Sequence, residues 1–135
     1  MPTLIDATLW IDFTRARSPK ALKQFIAPFI LHPEACLAEP ITFELLRHAT
    51  PAEHTLLAHH FRTFPLLKTP SDLWTRAADL GRACRHAGLP AGSLDLLIAS
   101  VAISHDAELL TFDSDFIGIA NVSPLKAKLL TRPTP

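Results

Sequence analysis

The sequence predicts an α/β fold: a mostly parallel sheet with helices covering both faces. Three observations carry that expectation. Short apolar runs that fit buried strands alternate along the whole chain with longer segments whose apolar residues recur at helical spacing. Twelve prolines fall mostly where one element ends and the next begins. The segment from Leu94 to Ser104 is apolar nearly all round, the mark of a helix buried at the centre. With 135 residues, 48% of them hydrophobic, the chain is expected to form a single domain over 1–135 whose core needs no disulfide or metal staple. It contains no repeat, no low-complexity tract and no long linker.

Taken in order, Thr3 to Ile5 reads as a short buried strand that delivers Asp6 at its C-terminal end, and Thr8 to Thr14 turns into a helix. Ser18 and Pro19 open a second helix, Ser18 as N-cap and Pro19 in the first turn. Its residues Leu22, Phe25, Ile26, Phe29 and Ile30 form one apolar stripe, with Pro28 kinking or ending the last turn. After His32-Pro33, Glu34 to Glu39 fits a second strand. Pro40 starts a helix through Arg47, and Thr50-Pro51-Ala52-Glu53 is a capping-box pattern opening another to about Phe64.

Pro65 to Lys68 reads as a third short strand, and Thr69 to Asp72 caps a helix that places Leu73, Ala77, Leu80, Cys84 and Ala87 on one face before Gly88 ends it. Ser93 is expected to cap the buried helix. Glu108 to Phe112 forms a fourth strand, Ile117 to Ala120 a short helix, and Ala127 to Leu130 a last strand.

Composition narrows the possible functions. Thirteen basic and thirteen acidic residues give zero formal net charge, so the chain lacks the global positive field of a nonspecific nucleic-acid binder. Cys36 and Cys84 lie far apart in apolar sequence, which fits buried thiols in a reducing compartment. The first strand begins almost at Met1 and no apolar run approaches the roughly 18 residues of a membrane span, so the expectation is a cytosolic protein. With only four glycines and no glycine-rich phosphate loop, nucleotide-cofactor folds are excluded.

Four carboxylates sit at the ends of apolar elements: Asp6, Glu44, Asp95 and Asp113. Each has a local alternative. Asp95 sits where a helix macrodipole favours an anion, Asp113 could cap the next helix, Asp6 could form an Asx turn, and Glu44 could pair with Arg47. Jointly they point further, because acids flanked by Leu, Ile and Phe are costly to bury unless paired or bound to a cation. An all-oxygen donor set favours the hard ions Mg²⁺ or Mn²⁺.

The segments that carry these acids resemble the motifs of the PIN-domain ribonucleases, most closely the VapC-type toxins of bacterial toxin-antitoxin pairs. The opening motif is Asp6-Ala7-Thr8-Leu9-Trp10-Ile11-Asp12, and the second is Pro40-Ile41-Thr42-Phe43-Glu44-Leu45-Leu46-Arg47. Asp95-Leu96-Leu97-Ile98-Ala99 resembles the third, and Leu110-Thr111-Phe112-Asp113-Ser114-Asp115-Phe116 the fourth.

The resemblance implies a three-layer α/β/α fold around a mostly parallel five-stranded sheet, and a Mg²⁺- or Mn²⁺-dependent endoribonuclease that hydrolyses RNA through an activated water. It further implies a homodimer neutralised by a cognate antitoxin. Carried over by position, Asp6, Glu44, Asp95 and Asp113 form the acidic quartet. Thr8 supports Asp6 or a water, and Asp115 is an auxiliary acid. Asp12 matches the motif but sits one turn beyond Thr8, where a surface pair with Arg15 is expected.

The chain departs from the family in two places. Thr14-Arg15-Ala16-Arg17 replaces the usual basic turn with glycine, leaving Arg15 and Arg17 to meet phosphates. Phe112 stands where an arginine is usual.

Other features carry less. His54, His59 and His60 read as a partly solvated helix face, and His105 as a cation or cap at a helix C-terminus. Most of Trp10, Trp74, Phe25, Phe29, Phe43, Phe61 and Phe64 read as core, with some free to form an apolar groove for a dimer or an antitoxin helix. A phospho-accepting receiver would need an adjacent acidic pair after the first strand and an aspartate after a middle one, and neither Asp6-Ala7 nor Leu66-Leu67-Lys68 supplies them. A non-cleaving PIN module that binds RNA or a partner is the remaining alternative, and the complete quartet argues against it.

Overall fold

A computed structural model describes residues 1–134, so the last residue of the expected 1–135 domain lies outside the described residues. Five parallel strands form one sheet: β1 (Thr3–Ile5), β2 (Ala35–Ala38), β3 (Leu66–Leu67), β4 (Glu108–Thr111) and β5 (Lys126–Leu129), in the order β3-β2-β1-β4-β5. Seven helices lie between and around them among the described residues: α1 (Ala7–Thr14), α2 (Lys20–Ile30), α3 (Glu39–Arg47), α4 (Pro51–Phe61), α5 (Leu73–His86), α6 (Ser93–Ser104) and α7 (Asp115–Asn121).

Consecutive residues of a strand point to opposite faces of its sheet, yet all four residues of β2 are buried, as are Leu4-Ile5 and Leu109 to Thr111. Both faces of the central strands are therefore covered, which is the reason they read as unbroken apolar runs. β5 shows what an edge requires: Lys126 and Lys128 face solvent there, and such charges discourage pairing with another chain. None of the helices is long and apolar enough to cross a membrane, among the described residues.

The local chemistry explains most element ends. At α4 the capping box forms in both directions: the Glu53 amide donates to the Thr50 hydroxyl (3.2 Å) and the Thr50 amide to Glu53 Oε1 (3.0 Å). Helix α5 closes with Gly88 at φ +71, where the Gly88 amide donates to the Arg85 carbonyl and the Leu89 amide to the Cys84 carbonyl. Only glycine adopts that left-handed turn without strain, so the stop signal read at Gly88 has a backbone cause.

Other expected ends differ. Pro19, not Ser18, is the N-cap of α2: its fixed extended backbone turns the chain into the helix, and its carbonyl accepts the Lys23 amide. Gly92, not Ser93, holds that position at α6, since its carbonyl accepts the Leu96 amide and Ser93 is already helical. Asp72 is the N-cap of α5, but its side chain caps no backbone amide and instead accepts from Arg76 Nε at 2.7 Å. The second strand is shorter than Glu34 to Glu39, because Glu39 begins α3. Helix α4 stops at Phe61 rather than Phe64, helix α7 starts two residues before Ile117, and α2 continues through Pro28 to Ile30.

Candidate active site

In open parallel sheets the ligand crevice lies beyond the carboxyl ends of the strands, where the strand order reverses. Here that point is between β1 and β4. Ile5 is in register with Leu110, and the ladder runs one step further as the Asp6 amide donates to the Leu110 carbonyl (3.0 Å). Asp6 therefore stands beside Thr111. Both residues are buried, and the Thr111 hydroxyl donates to Asp6 Oδ2 at 2.7 Å.

A second hydroxyl reaches the same oxygen. Thr8, in the first turn of α1, donates to Asp6 Oδ2 at 2.9 Å and accepts the Phe112 amide at 3.1 Å. Thr111 in turn accepts the Asp113 amide at 2.9 Å. The two threonines thus tie the start of α1 to the end of β4. Thr111 belongs to the fourth motif, but the sequence gives it no role. That role appears only in pairing: a hydroxyl at the end of the strand in register with the strand that carries Asp6.

The remaining acids arrive from other elements. Asp95 lies in the first turn of α6, where the helix N-terminus favours an anion. Asp113 follows β4 and accepts the Asp115 amide at 2.9 Å, an Asx turn at the entrance to α7. Asp95, Asp113 and Asp115 each offer one carboxylate oxygen within a group whose members all lie within 4.8 Å of one another. Asp115, expected as an auxiliary acid, stands level with Asp95 and Asp113 in that group. Asp6 and Glu44 lie outside it, yet both act on it electrostatically.

Burial, followed by the charges of Asp113, Asp6, Glu44 and Asp115, pushes the Asp95 carboxyl up to about 7. Glu44, half-buried on α3, is raised by burial and then by Asp6 and Asp113, with Arg47 opposing. Burial also raises Asp6, against the lowering influence of the Thr111 and Thr8 hydroxyls. Burial disfavours the charged forms of Asp6, Glu44 and Asp95, and neighbouring acids add to this at Glu44 and Asp95, so the site gains from a cation. The donors are all oxygen, which suits Mg²⁺ or Mn²⁺ better than Zn²⁺.

Beside Glu44, a cavity of about 150 Å³ is lined by Ile11, Thr14, Arg15, His48 and Glu53, among others. Arg15 and Glu53 also line a larger neighbouring cleft of about 600 Å³ that extends to Arg17. Both arginines are exposed. One sequence expectation fails nearby. Asp12 pairs with Arg132 at 2.7 Å and not with Arg15, because the C-terminal segment crosses its face of α1. The three histidines of α4 do form a partly solvated face, but His60 is the least exposed of them: it packs against Trp10 (5.4 Å between ring centroids) and Phe13, and burial lowers its basicity. His105 does terminate α6, but its ring reaches across to the Lys68 carbonyl (Nε2 at 2.7 Å).

A parallel sheet in this order with acids converging at its reversal point defines a PIN-like fold with a candidate cation site. The chain belongs to the PIN-domain family: the model of that domain matches residues 3–122. It is 35% identical over 130 residues to ribonuclease VapC11 of Mycobacterium tuberculosis and to VapC ribonuclease Mb1587 of Mycobacterium bovis, covering 92% of this chain and 96% of each relative. Among solved structures, VapBC2 from Rickettsia felis bound to a DNA fragment superposes with a TM-score of 0.76 at 15% identity, over 97% of this chain and 100% of that one. DNA-bound VapBC from Salmonella typhimurium gives 0.73 at 13% identity, over 95% and 97%. At those identities the superpositions speak for the fold.

Proposed function

We propose that this protein is a Mg²⁺- or Mn²⁺-dependent endoribonuclease and the toxin of a toxin-antitoxin pair, built as one domain and working in the cytosol. The observation that carries the reading is the acidic group itself, three carboxylates within 4.8 Å with Asp6 and Glu44 raising its charge density. The 35% identity to proteins named VapC ribonucleases supports RNA as substrate.

Asp95, Asp113 and Asp115 would hold the cation, with Asp6 and Glu44 completing the acidic site around it. When bound, Mg²⁺ or Mn²⁺ supplies a water of lowered pKa and neutralises charge developing at the phosphorus. Thr8 and Thr111 keep the Asp6 carboxylate in one orientation through Oδ2. Arg15 and Arg17 bind phosphates of the incoming strand along the cleft that starts at Glu44.

The test is cleavage of a structured RNA by the purified chain, with metal removed by EDTA and then restored with Mg²⁺ or Mn²⁺, beside Asp6→Ala. Activity that survives chelation or persists in Asp6→Ala would sink the mechanism. Expression of the chain is expected to arrest growth, and Asp6→Ala to abolish that arrest.

The homodimer is proposed to form through the face between α3, α5 and α6. Phe43 and Trp74 are 58% and 74% exposed there, around an apolar recess of about 350 Å³ that Leu94 and Leu97 also line. Large aromatics left this open mark an interaction surface. Trp74→Ser is therefore expected to shift the protein from dimer to monomer in analytical ultracentrifugation, weakening association about 100-fold as hot-spot aromatics do. A Trp74→Ser protein that sediments like the wild type would place the dimer elsewhere.

A further inference from the structure

The C-terminal segment beyond β5 does more than end the chain. Leu130 donates its amide to the Thr111 carbonyl at 2.8 Å. Two residues on, Arg132 donates through Nε to Asp12 Oδ2 at 2.7 Å, and its guanidinium carbon lies 4.4 Å from the centroid of the Phe112 ring. Phe112 rests with its ring nearly parallel to Phe25. The Phe112 backbone amide is the one that donates to Thr8, whose hydroxyl holds Asp6.

These contacts close a ring. Thr8 and Asp12 lie one helical turn apart on α1, and Thr111 and Phe112 lie at the end of β4. Arg132 bridges the two from outside while Thr8 and Thr111 bridge them from inside. An isolated exposed ion pair contributes little. This one differs in that the Asp12 side chain is only 14% exposed and the same guanidinium covers an aromatic face. Its partner ring also belongs to the residue whose amide enters the acidic site.

We infer that Arg132 is a positioning residue: by clamping Asp12 to the Phe112 ring it fixes the Phe112 amide on Thr8, and through Thr8 the Asp6 carboxylate. The activity arm of the test rests on the metal-dependent ribonuclease reading; the clamp itself does not. Arg132→Gln removes the cation and Arg132→Lys keeps it while losing the flat contact with the ring.

In the full-length chain, Arg132→Gln is expected to speed amide exchange at Phe112 about tenfold while Leu109 in the middle of β4 is unchanged. Outer residues that orient ligands typically cost 10–100-fold when changed, so Mn²⁺ affinity by calorimetry and kcat on RNA should each fall by about tenfold, with KM within about twofold. Arg132→Lys should recover part of each. Unaltered exchange at Phe112 would overturn the inference, and so would a raised KM with unchanged kcat, which would make Arg132 a direct RNA contact. If Arg132→Gln is too unstable to assay, Asp12→Asn loosens the same clamp from α1 and must reproduce the faster exchange, or the inference fails. A wild-type chain that cleaves no RNA would sink the ribonuclease reading and leave the exchange result to decide the clamp.

Discussion

Asp95→Asn should lower RNA cleavage by about 10³-fold or more, because a charged oxygen donor to the cation and to the developing charge is lost. The same substitution should make the metal-free protein more stable at about pH 8. Both effects follow from one property. Asp95 titrates at about 7 in the folded chain, raised from 3.8 first by burial and then by Asp113, Asp6, Glu44 and Asp115. Between those two values the folded state keeps a proton that the unfolded chain has released. Stability of the metal-free protein therefore falls as pH rises towards 7, and is regained as pH falls through the folded value towards the unfolded one.

Asparagine removes that penalty, worth on the order of 2 kcal/mol after allowing for the partial exposure of the carboxylate. A divalent cation reverses the dependence by taking the proton's place, so Mg²⁺ should raise the wild-type Tm more at about pH 8 than at about pH 5.5. Thermal melts with and without metal check each arm. An Asp95→Asn protein that still cleaves RNA, or that melts lower than the wild type at the higher pH without metal, would refute the account.

Thr111→Val should cost about 10–100-fold in cleavage while leaving the strand intact, since valine keeps the shape and the β-branch. The hydroxyl it deletes does two things at once, donating to Asp6 Oδ2 (2.7 Å) and accepting the Asp113 amide (2.9 Å). Without it the two acid-bearing segments lose a shared tie, and a half-buried amide and a buried carboxylate each lose a partner. The expected destabilisation is about 1–3 kcal/mol. Thr111→Ser keeps the hydroxyl and should remain within about threefold of wild-type activity, a small fraction of the loss expected from an outer-shell deletion. Steady-state kinetics and melts of the pair provide the check. A valine variant as active as the serine one would remove Thr111 from the site.

Thr111 also shows where reading from sequence stops. Asp6 and Asp113 are visible because each ends an apolar run, and apolar runs are what sequence displays best. Thr111 sits inside such a run, and although it belongs to the fourth motif nothing local assigns it a role. Only the β1–β4 register, a contact between residues 105 apart, turns its hydroxyl towards Asp6. His60 is a similar case. Its helix carries His54 and His59 on open ground, while Trp10 and Phe13 arrive from α1 to cover part of His60. The misplaced caps have a more local cause. Ser18 and Ser93 are good cap residues, but the neighbouring Pro19 and Gly92 have the extended backbone from which each helix starts.

By itself the sequence determined the α/β class, the alternation of strands and helices and the residues of the acidic segments. These depend on apolar periodicity and on which residue types tolerate a turn, both of which are local. The tertiary structure decided the strand order, the grouping of Asp115 with Asp95 and Asp113, the tie through Thr111 and the exchange of Arg15 for Arg132 as the partner of Asp12. Each of those needs two distant segments to be brought within a few ångströms, and the free energy that selects such a contact comes from the packing of the whole core rather than from either segment.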